Sequence, residues 1–338
     1  MNPRFRTFTA WLVIMGILSI AAVAVALYHF AYASLQGDGV TVRSFELKPG
    51  TSLRAAARQL VADGVLSEPW RFELIARLRG DASSIKAGIY EVDLSLTPVE
   101  LLDKITRGDV VQDQITFVEG WTLRQWREAL NAHPTLRHDT QSLSDAELLD
   151  RVGAIGYANG EGLFFPDTYR FNRHGTDLDV LRQAREAMQK QLDGLWNGRA
   201  PDLPFQSPYQ ALILASIVEK ETGIAADRPL IAAVFINRLR RSMKLQTDPT
   251  VIYGLGTCFD GNLRKGDLVR DNPYNTYTRE GLPPTPISMP GLASLRATLN
   301  PPKTEALYFV ARGDGTSHFS TTLDEHTRAV NRYQRAGR

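Results

Sequence analysis

The sequence predicts an α+β protein: an N-terminal transmembrane helix, a small βααβ subdomain next to it, and a larger mixed domain with a buried central helix. Three observations predict it. The chain opens with an apolar run, Trp11–Tyr28, inside a stretch free of Asp, Glu, Lys and Arg from Thr7 to Gly37. Strand, helix, helix and strand patterns then succeed one another between Val40 and Val92. Far downstream, Ser207–Gly223 reads S-P-Y-Q-A-L-I-L-A-S-I-V-E-K-E-T-G, a helix apolar on every side that ends in two glutamates.

Composition sets limits. A chain of 338 residues is long enough for two domains with real cores. With 43% hydrophobic and 22% charged residues the composition is that of a folded protein, not a disordered one. The formal net charge is +2 and no basic block occurs, so no nucleic-acid partner is implied. Cys258 is the single cysteine, which excludes an intramolecular disulfide. The six histidines show no metal-binding spacing. No metal and no organic cofactor is therefore expected. Of the histidines only His318 has two readings, a cleft residue or a hairpin surface residue.

The apolar run is about 18 residues long, enough to cross a bilayer. Residues 1–10 are expected as a cytoplasmic tail and 11–30 as the transmembrane helix. Arg4 and Arg6 precede the run and Asp38 follows it, so the positive-inside rule leaves the N-terminus in the cytoplasm and exports the rest. Trp11 and Tyr28 suit the two interfaces. A cleaved signal peptide ending at Ala31-Tyr32-Ala33 is the alternative, and the run is long for one.

Residues 38–110 form the expected membrane-proximal subdomain. Val40–Leu47 alternates as a strand does, Pro49-Gly50 turns, Thr51 caps a helix that stops at Gly64, Glu68–Leu78 is a second helix, and Gly88–Val92 is a strand. This is the layout of a LysM-type glycan-binding module; a plain α+β spacer has the same letters. Thr97 with Pro98 opens a further helix to Arg107. Residues 111–338 form the larger domain. Gln114–Val118 reads as a strand. Thr122 and Gln125 make a capping box for Leu123–Leu130. His133–Ser144 reads as a polar linker. Glu161–Tyr169 is aromatic-rich, and its letters fit a substrate-facing loop or an ordinary buried strand. Asp177–Trp196 is an amphipathic helix.

The central helix has matching start and stop signals: Ser207 as cap, Gln210 to complete a capping box, Pro208 at the first helical position and Gly223 beyond the end. Glu219 and Glu221 occupy its last turn, where the helix dipole disfavours negative charge. Dipole and apolar surroundings favour the protonated acid, as general-acid catalysis at neutral pH requires. Two solvated end residues would be spelled the same way. Next come a helix from Asp227 to Arg241 and another capped by Asp248 with Pro249, ending at Tyr253-Gly254. A polar loop, Asn272–Tyr277, leads into the proline-stiffened Gly281–Pro290. That segment reads as a substrate wall or as a packing connection. A hairpin, Leu307–Ala311 with His318–Ser320, and a helix capped by Thr322 and Glu325 close the chain.

The runs Ala215–Thr222, Phe235–Leu239, Leu245–Gly254, Tyr274–Tyr277, Gly281–Pro284 and Leu307–Ala311 stand in an order and spacing that resembles the endolytic murein transglycosylase family, the YceG-like proteins. The resemblance covers essentially the whole chain. It implies a single-pass inner-membrane protein with a LysM-like subdomain and a periplasmic catalytic domain, acting on peptidoglycan glycan strands beside membrane-bound peptidoglycan synthases. It also implies that the first glutamate of the E-K-E triplet, Glu219, is the catalytic acid. The expected groove residues are Gln246, Thr247, Asp248, Asn275, Thr276, Tyr277, Glu161 and Glu221. The implied reaction is lytic cleavage of the bond between N-acetylmuramic acid and N-acetylglucosamine, giving 1,6-anhydromuramyl ends and ending glycan elongation. A muramidase-type hydrolase, with Glu221, Asp248 or Glu161 as second carboxylate, and a non-catalytic glycan-binding scaffold remain the rivals. Glu219 and Glu221 make a poor pair, since two positions on a helix point to different faces.

Overall fold

A computed structural model of the chain describes residues 3–35 and 42–335. Its first element, α1 (Pro3–Tyr32), contains Trp11–Tyr32, a stretch of mean hydropathy 2.4 that is long and apolar enough to cross a membrane. The helix itself begins at Pro3, ahead of that stretch, and both end at Tyr32. Just at its end the chain becomes part of a protein core. Ala31 and Leu35 are buried, and the Leu35 N–H donates to the Leu96 carbonyl at 2.7 Å.

The chain divides into two compact units, Met1–Asp113 with Phe171–Arg173, and the remainder. The first holds β1 (Val42–Leu47), α2 (Leu53–Ala62), α3 (Pro69–Leu78), β2 (Gly88–Asp93) and α4 (Pro98–Arg107). The strands pair antiparallel, Val42 opposite Asp93 and Leu47 opposite Gly88. Inward residues of both strands and one stripe of each helix make the core, with Phe45, Leu60, Phe72, Tyr90 and Leu101 buried. The βααβ order follows the sequence pattern; Val40 and Thr41, the first residues of the expected strand, lie outside the described residues. One cap differs. Ser52, not Thr51, accepts the Ala55 N–H at the start of α2. The Thr51 hydroxyl instead donates back to the Lys48 carbonyl at 2.7 Å, because it closes the Pro49-Gly50 turn. At α4 the expected cap is a full box between Thr97 and Glu100, and Gly108 ends the helix in the left-handed region at φ 75°.

β3 (Gln112–Thr116) pairs with β4 (Thr168–Asn172). β3 sits two residues ahead of the expected Gln114–Val118. Only the end of the aromatic-rich Glu161–Tyr169 segment enters a strand; the rest is loop. The second unit then carries α5 (Leu123–Ala132), α6 (Asp145–Arg151), α7 (Asp177–Asn197), α8 (Pro208–Glu221), α9 (Arg228–Arg240), α10 (Asp248–Leu255), α11 (Lys265–Val269), α12 (Leu292–Leu299), the hairpin β5 (Tyr308–Ala311) and β6 (Ser317–Ser320), and α13 (Leu323–Val330). Helices α6, α11 and α12 have no counterpart in the sequence reading.

Every residue of α8 from Ala211 to Val218 is buried. The helix packs against α7, α9, α10 and α12, which explains why no face of it is polar. Its ends differ from expectation. Ser207 accepts the Gln210 N–H, but the Gln210 side chain accepts from Gln206 N–H at 2.7 Å, so the capping box is half formed. The helix stops because Thr222 turns extended (φ −149°, ψ 135°), not through a left-handed Gly223. Two further caps move. Asp227 precedes α9 without a side-chain cap bond. Thr247, not Asp248, is the residue before α10, which runs on through Gly254 to Leu255.

Candidate active site

Glu219 sits half-buried in the last turn of α8. Its Oε2 accepts the Gly291 N–H at 2.9 Å. Gly291 is the residue before α12, so an amide at the positive end of that helix faces the carboxylate. What delivers Gly291 to this point is the proline-rich segment. Ser216, the lone hydroxyl of the apolar run, accepts the Ile287 N–H at 3.0 Å, and the Ser288 hydroxyl donates to the Ser216 carbonyl at 3.1 Å. Met289 then bonds the stretch before α5 twice, accepting from Gly120 N–H at 2.8 Å and donating to the Trp121 carbonyl at 2.7 Å. The segment read as a substrate wall or a packing connection thus ties α8 to the α5 entry.

These ties bring in Glu119. A Cβ on Gly291 would lie 1.8 Å from Glu119 Oε1, so the exposed Glu119 side chain lies directly against this glycine. A 2.9 Å bond on one side, a 1.8 Å gap on the other and about 2.5 Å between the amide nitrogen and the Cβ position leave the two carboxyl oxygens at most about 7 Å apart. Burial raises the Glu119 carboxyl above its ordinary range, the Glu219 charge adds to this, and Arg228 opposes it. Lys220 turns to the Gly120 carbonyl at 3.2 Å. Glu119 carries no expectation from the sequence. The available signal was an acid directly before a glycine and a capping box, V-E-G-W-T-L.

The remaining expected residues fall in three other places. Glu221, two positions on and about 200° around the helix, faces away from Glu219. It lines a cavity of about 630 Å³ with Gln246, Asp248 and Tyr277; Glu219 is not in that wall. Burial raises the Glu221 carboxyl, partly offset by a short bond from the Thr247 hydroxyl. Tyr277 donates to Asp248 Oδ1 at 2.5 Å. Gln246 holds a left-handed backbone at φ 50°, a strained conformation for a side-chain-bearing residue. Arg238 reaches the same cavity from α9, its Nε and NH1 groups donating to the Leu307 and Leu245 carbonyls.

Thr247, Thr276 and Asn275 stand behind this wall, all buried. The Asn275 amide donates to the carbonyls of Asp267, Leu268 and Arg270 and accepts from Tyr277 N–H. Thr276 Oγ1 accepts from Thr247 N–H and pairs with Thr250. These side chains are spent on fixing the loop. Glu161 is separate again and deeply buried, at 4% exposure. It accepts the Leu123 N–H at 2.9 Å at the start of α5 and the Tyr253 hydroxyl at 3.2 Å. Burial outweighs both bonds and pushes its carboxyl up to about 7. His318 lies half-buried on β6 with its ring 5.6 Å from that of Tyr333, and both line a small cavity of about 230 Å³ with Glu325 and Arg328, so it stands on the hairpin and faces a cleft as well. Among the described residues no group of three His, Cys, Asp or Glu converges as a metal site.

Comparison with known proteins places the chain in a family. The chain is 34% identical over 319 residues to an endolytic murein transglycosylase of Bacillus subtilis, covering 88% of this chain and 87% of that protein. It is 28% identical to an endolytic murein transglycosylase of Streptococcus pneumoniae, over 83% of this chain but only 56% of that longer protein. The crystal structure of a yceG-like protein from Listeria monocytogenes superposes with a TM-score of 0.51 at 30% identity, covering 85% of this chain and 98% of that one. The profile of the YceG-like family matches residues 45–332. The chain belongs to the YceG-like family.

Proposed function

We propose that this protein is a membrane-anchored lytic transglycosylase that cuts peptidoglycan glycan strands internally, with Glu219 as its acid and base. One observation carries the assignment of Glu219. It is a half-buried carboxyl in the last turn of a helix whose preceding eight residues are all buried, and its Oε2 accepts a backbone amide. In the first step Glu219 protonates the glycosidic oxygen as the bond to the muramyl anomeric carbon breaks and that carbon gains oxocarbenium character. In the second the Glu219 carboxylate takes the proton of the muramyl 6-hydroxyl as its oxygen bonds the same carbon. The proton is returned and the product ends in 1,6-anhydromuramic acid. Intramolecular attack gains from high effective molarity, so water is not needed.

Glu221, Gln246, Asp248 and Tyr277 supply polar groups to the neighbouring cavity for further sugar units, and Thr247, Asn275 and Thr276 keep them in place. Glu161 secures the α5 entry beside Glu119. The βααβ unit acts as a LysM-like glycan holder at residues 38–110. Burial of Ala31 and Leu35 in that unit supports an uncleaved anchor, with the positive N-terminus in the cytoplasm and the remainder in the periplasm. Placed there, the enzyme meets strands as glycan polymerases release them and ends their elongation. Strand lengths unchanged in cells lacking the protein would count against this role.

The test is to incubate the detergent-solubilised chain with uncrosslinked strands and read the new ends by mass spectrometry. Ends one water lighter than a reducing sugar, absent with Glu219→Gln, are expected. One observation favours a second reading. The Glu119 carboxyl stands at most about 7 Å from that of Glu219, near enough to act as a second carboxylate. Ordinary reducing ends would establish that hydrolase, and bound glycan without any new ends would leave a scaffold.

A further inference from the structure

The outer face of α3 is apolar, and neither the cleavage chemistry nor the packing of its own unit uses it. Trp70, Leu74 and Leu78 recur at every fourth position, so they form one stripe about 80° wide on the helix. Trp70 is 53% exposed and Leu78 75%, with Leu74 half-buried between them, while Phe72, Ile75 and Ala76 on the other side fill the core. Arg71 and Arg77 stand at the two borders of the stripe, each about 20° beyond its last residue. An apolar stripe edged by arginines is the pattern of a helix lying in a membrane interface, with its guanidinium heads reaching the headgroups.

The position of α3 gives the stripe an occupant. The helix packs against α1, and the Arg71 guanidinium lies 5.7 Å from the ring centre of Phe30 and 5.3 Å from that of Trp70. The apolar stretch Trp11–Tyr32 has 22 residues and so spans about 33 Å, close to the thickness of a hydrocarbon core. Phe30 is two residues, about 3 Å, short of its end. Arg71 therefore stands where hydrocarbon gives way to phosphate, at the level of the exposed Tyr28 and Tyr32 rings. Its Nε forms an ion pair with Glu68 at 2.9 Å, which leaves both terminal NH2 groups without an acceptor among the described residues. Arg71 also lines a cavity of about 510 Å³ with His29, Ser34 and Ser67, beside the buried Leu35 and Leu66.

We propose that α3 docks on the bilayer: the Trp70–Leu74–Leu78 stripe enters the headgroup layer, and Arg71 takes the phosphate of an anionic phospholipid in the cavity beside α1. The proposal rests on reading α1 as a membrane anchor and is independent of the cleavage chemistry. A planar guanidinium with two free NH2 groups suits a phosphate, and an anionic headgroup carries no ammonium of its own to compete. Held at α1 and again along α3, the βααβ unit cannot swing about its anchor.

The test uses the full chain in vesicles of phosphatidylcholine brominated on its acyl chains, which quenches tryptophans that reach the bilayer. Trp11→Phe removes the tryptophan inside the span and leaves four of five. Up to about a quarter of the remaining emission should then be quenched, and a further Trp70→Phe should abolish that share. Equal quenching with and without Trp70 overturns the docking. Replacing about a third of the lipid by phosphatidylglycerol should raise the Trp70 share about twofold, with Arg71→Gln removing this response and Arg71→Lys keeping most of it. A response to phosphatidylglycerol that is absent, or that survives Arg71→Gln, overturns the phosphate contact. Extraction of the whole chain by alkaline carbonate would defeat the anchor reading and the proposal with it. A retained chain with Trp70 unquenched defeats the proposal alone.

Discussion

Replacing Glu161 by glutamine should stabilise the protein at pH 8 and leave it nearly unchanged at pH 4.5. The carboxyl is held up from an ordinary 4.5 to about 7 because burial outweighs its two hydrogen bonds. Below pH 4.5 the group is protonated whether the chain is folded or not, and it costs nothing. Between 4.5 and about 7 the unfolded chain releases the proton while the fold retains it, so stability falls as pH rises. Above about 7 the loss is complete. Each pH unit over which the fold alone retains the proton costs about 1.4 kcal/mol, so the full loss is about 3 kcal/mol. Glutamine offers an oxygen to the Leu123 N–H and an amide to the Tyr253 oxygen without a charge to bury. At about 2–4 °C per kcal/mol for a unit of this size, the variant should melt about 6–12 °C above wild type at pH 8. The assay is circular dichroism thermal unfolding of both proteins from pH 4.5 to 8. A difference in midpoint that does not grow with pH would refute the reasoning.

Other perturbations separate scaffold from chemistry. Gly291→Ala puts a methyl group where the Glu119 carboxyl lies; that exposed side chain can swing aside and φ −79° suits alanine, so stability should change by less than about 1 kcal/mol in thermal unfolding. Asn275→Ala strands three carbonyls and the Tyr277 N–H, so about 3 kcal/mol of stability should go, visible as an earlier urea midpoint. Arg238→Lys removes the fork that holds the Leu307 and Leu245 carbonyls and should lower stability by about 2 kcal/mol, with β5 losing amide-exchange protection first.

Local signals were the legible part of this fold. The caps at Thr97, Thr122 and Thr322 bonded as their spacing demanded, since a capping box closes within one turn and needs nothing from elsewhere. The βααβ order was legible for the same reason. Where two candidates stood side by side, tertiary demands chose. Ser52 won over Thr51 because a turn already claimed the Thr51 hydroxyl, and Thr247 precedes α10 while its own hydroxyl bonds Glu221. Helix α12 was missed because it lies against α8 and α9 with Leu295, Ala297, Thr298 and Leu299 buried, a short pattern without a polar stripe. The apolar helix pointed to Glu219 and Glu221 alike, and only the family resemblance chose Glu219 between them. Glu119 could not be singled out, because its nearness to Glu219 runs through Gly120, Met289 and Gly291, contacts that span more of the chain than any periodicity reports.

The all-round burial of α8 also dictates when in the life of the chain the site can exist. A helix with no polar face cannot stand in water alone, and three of the four helices that cover it, α9, α10 and α12, follow it in sequence. Gly291, which holds the Glu219 carboxylate, arrives only with α12. A nascent or truncated chain that stops short of Leu299 therefore presents a sticky Ala211–Val218 surface, open to aggregation and proteolysis. The Glu219 carboxylate then lacks its amide partner, and its surroundings form only once the whole domain has closed.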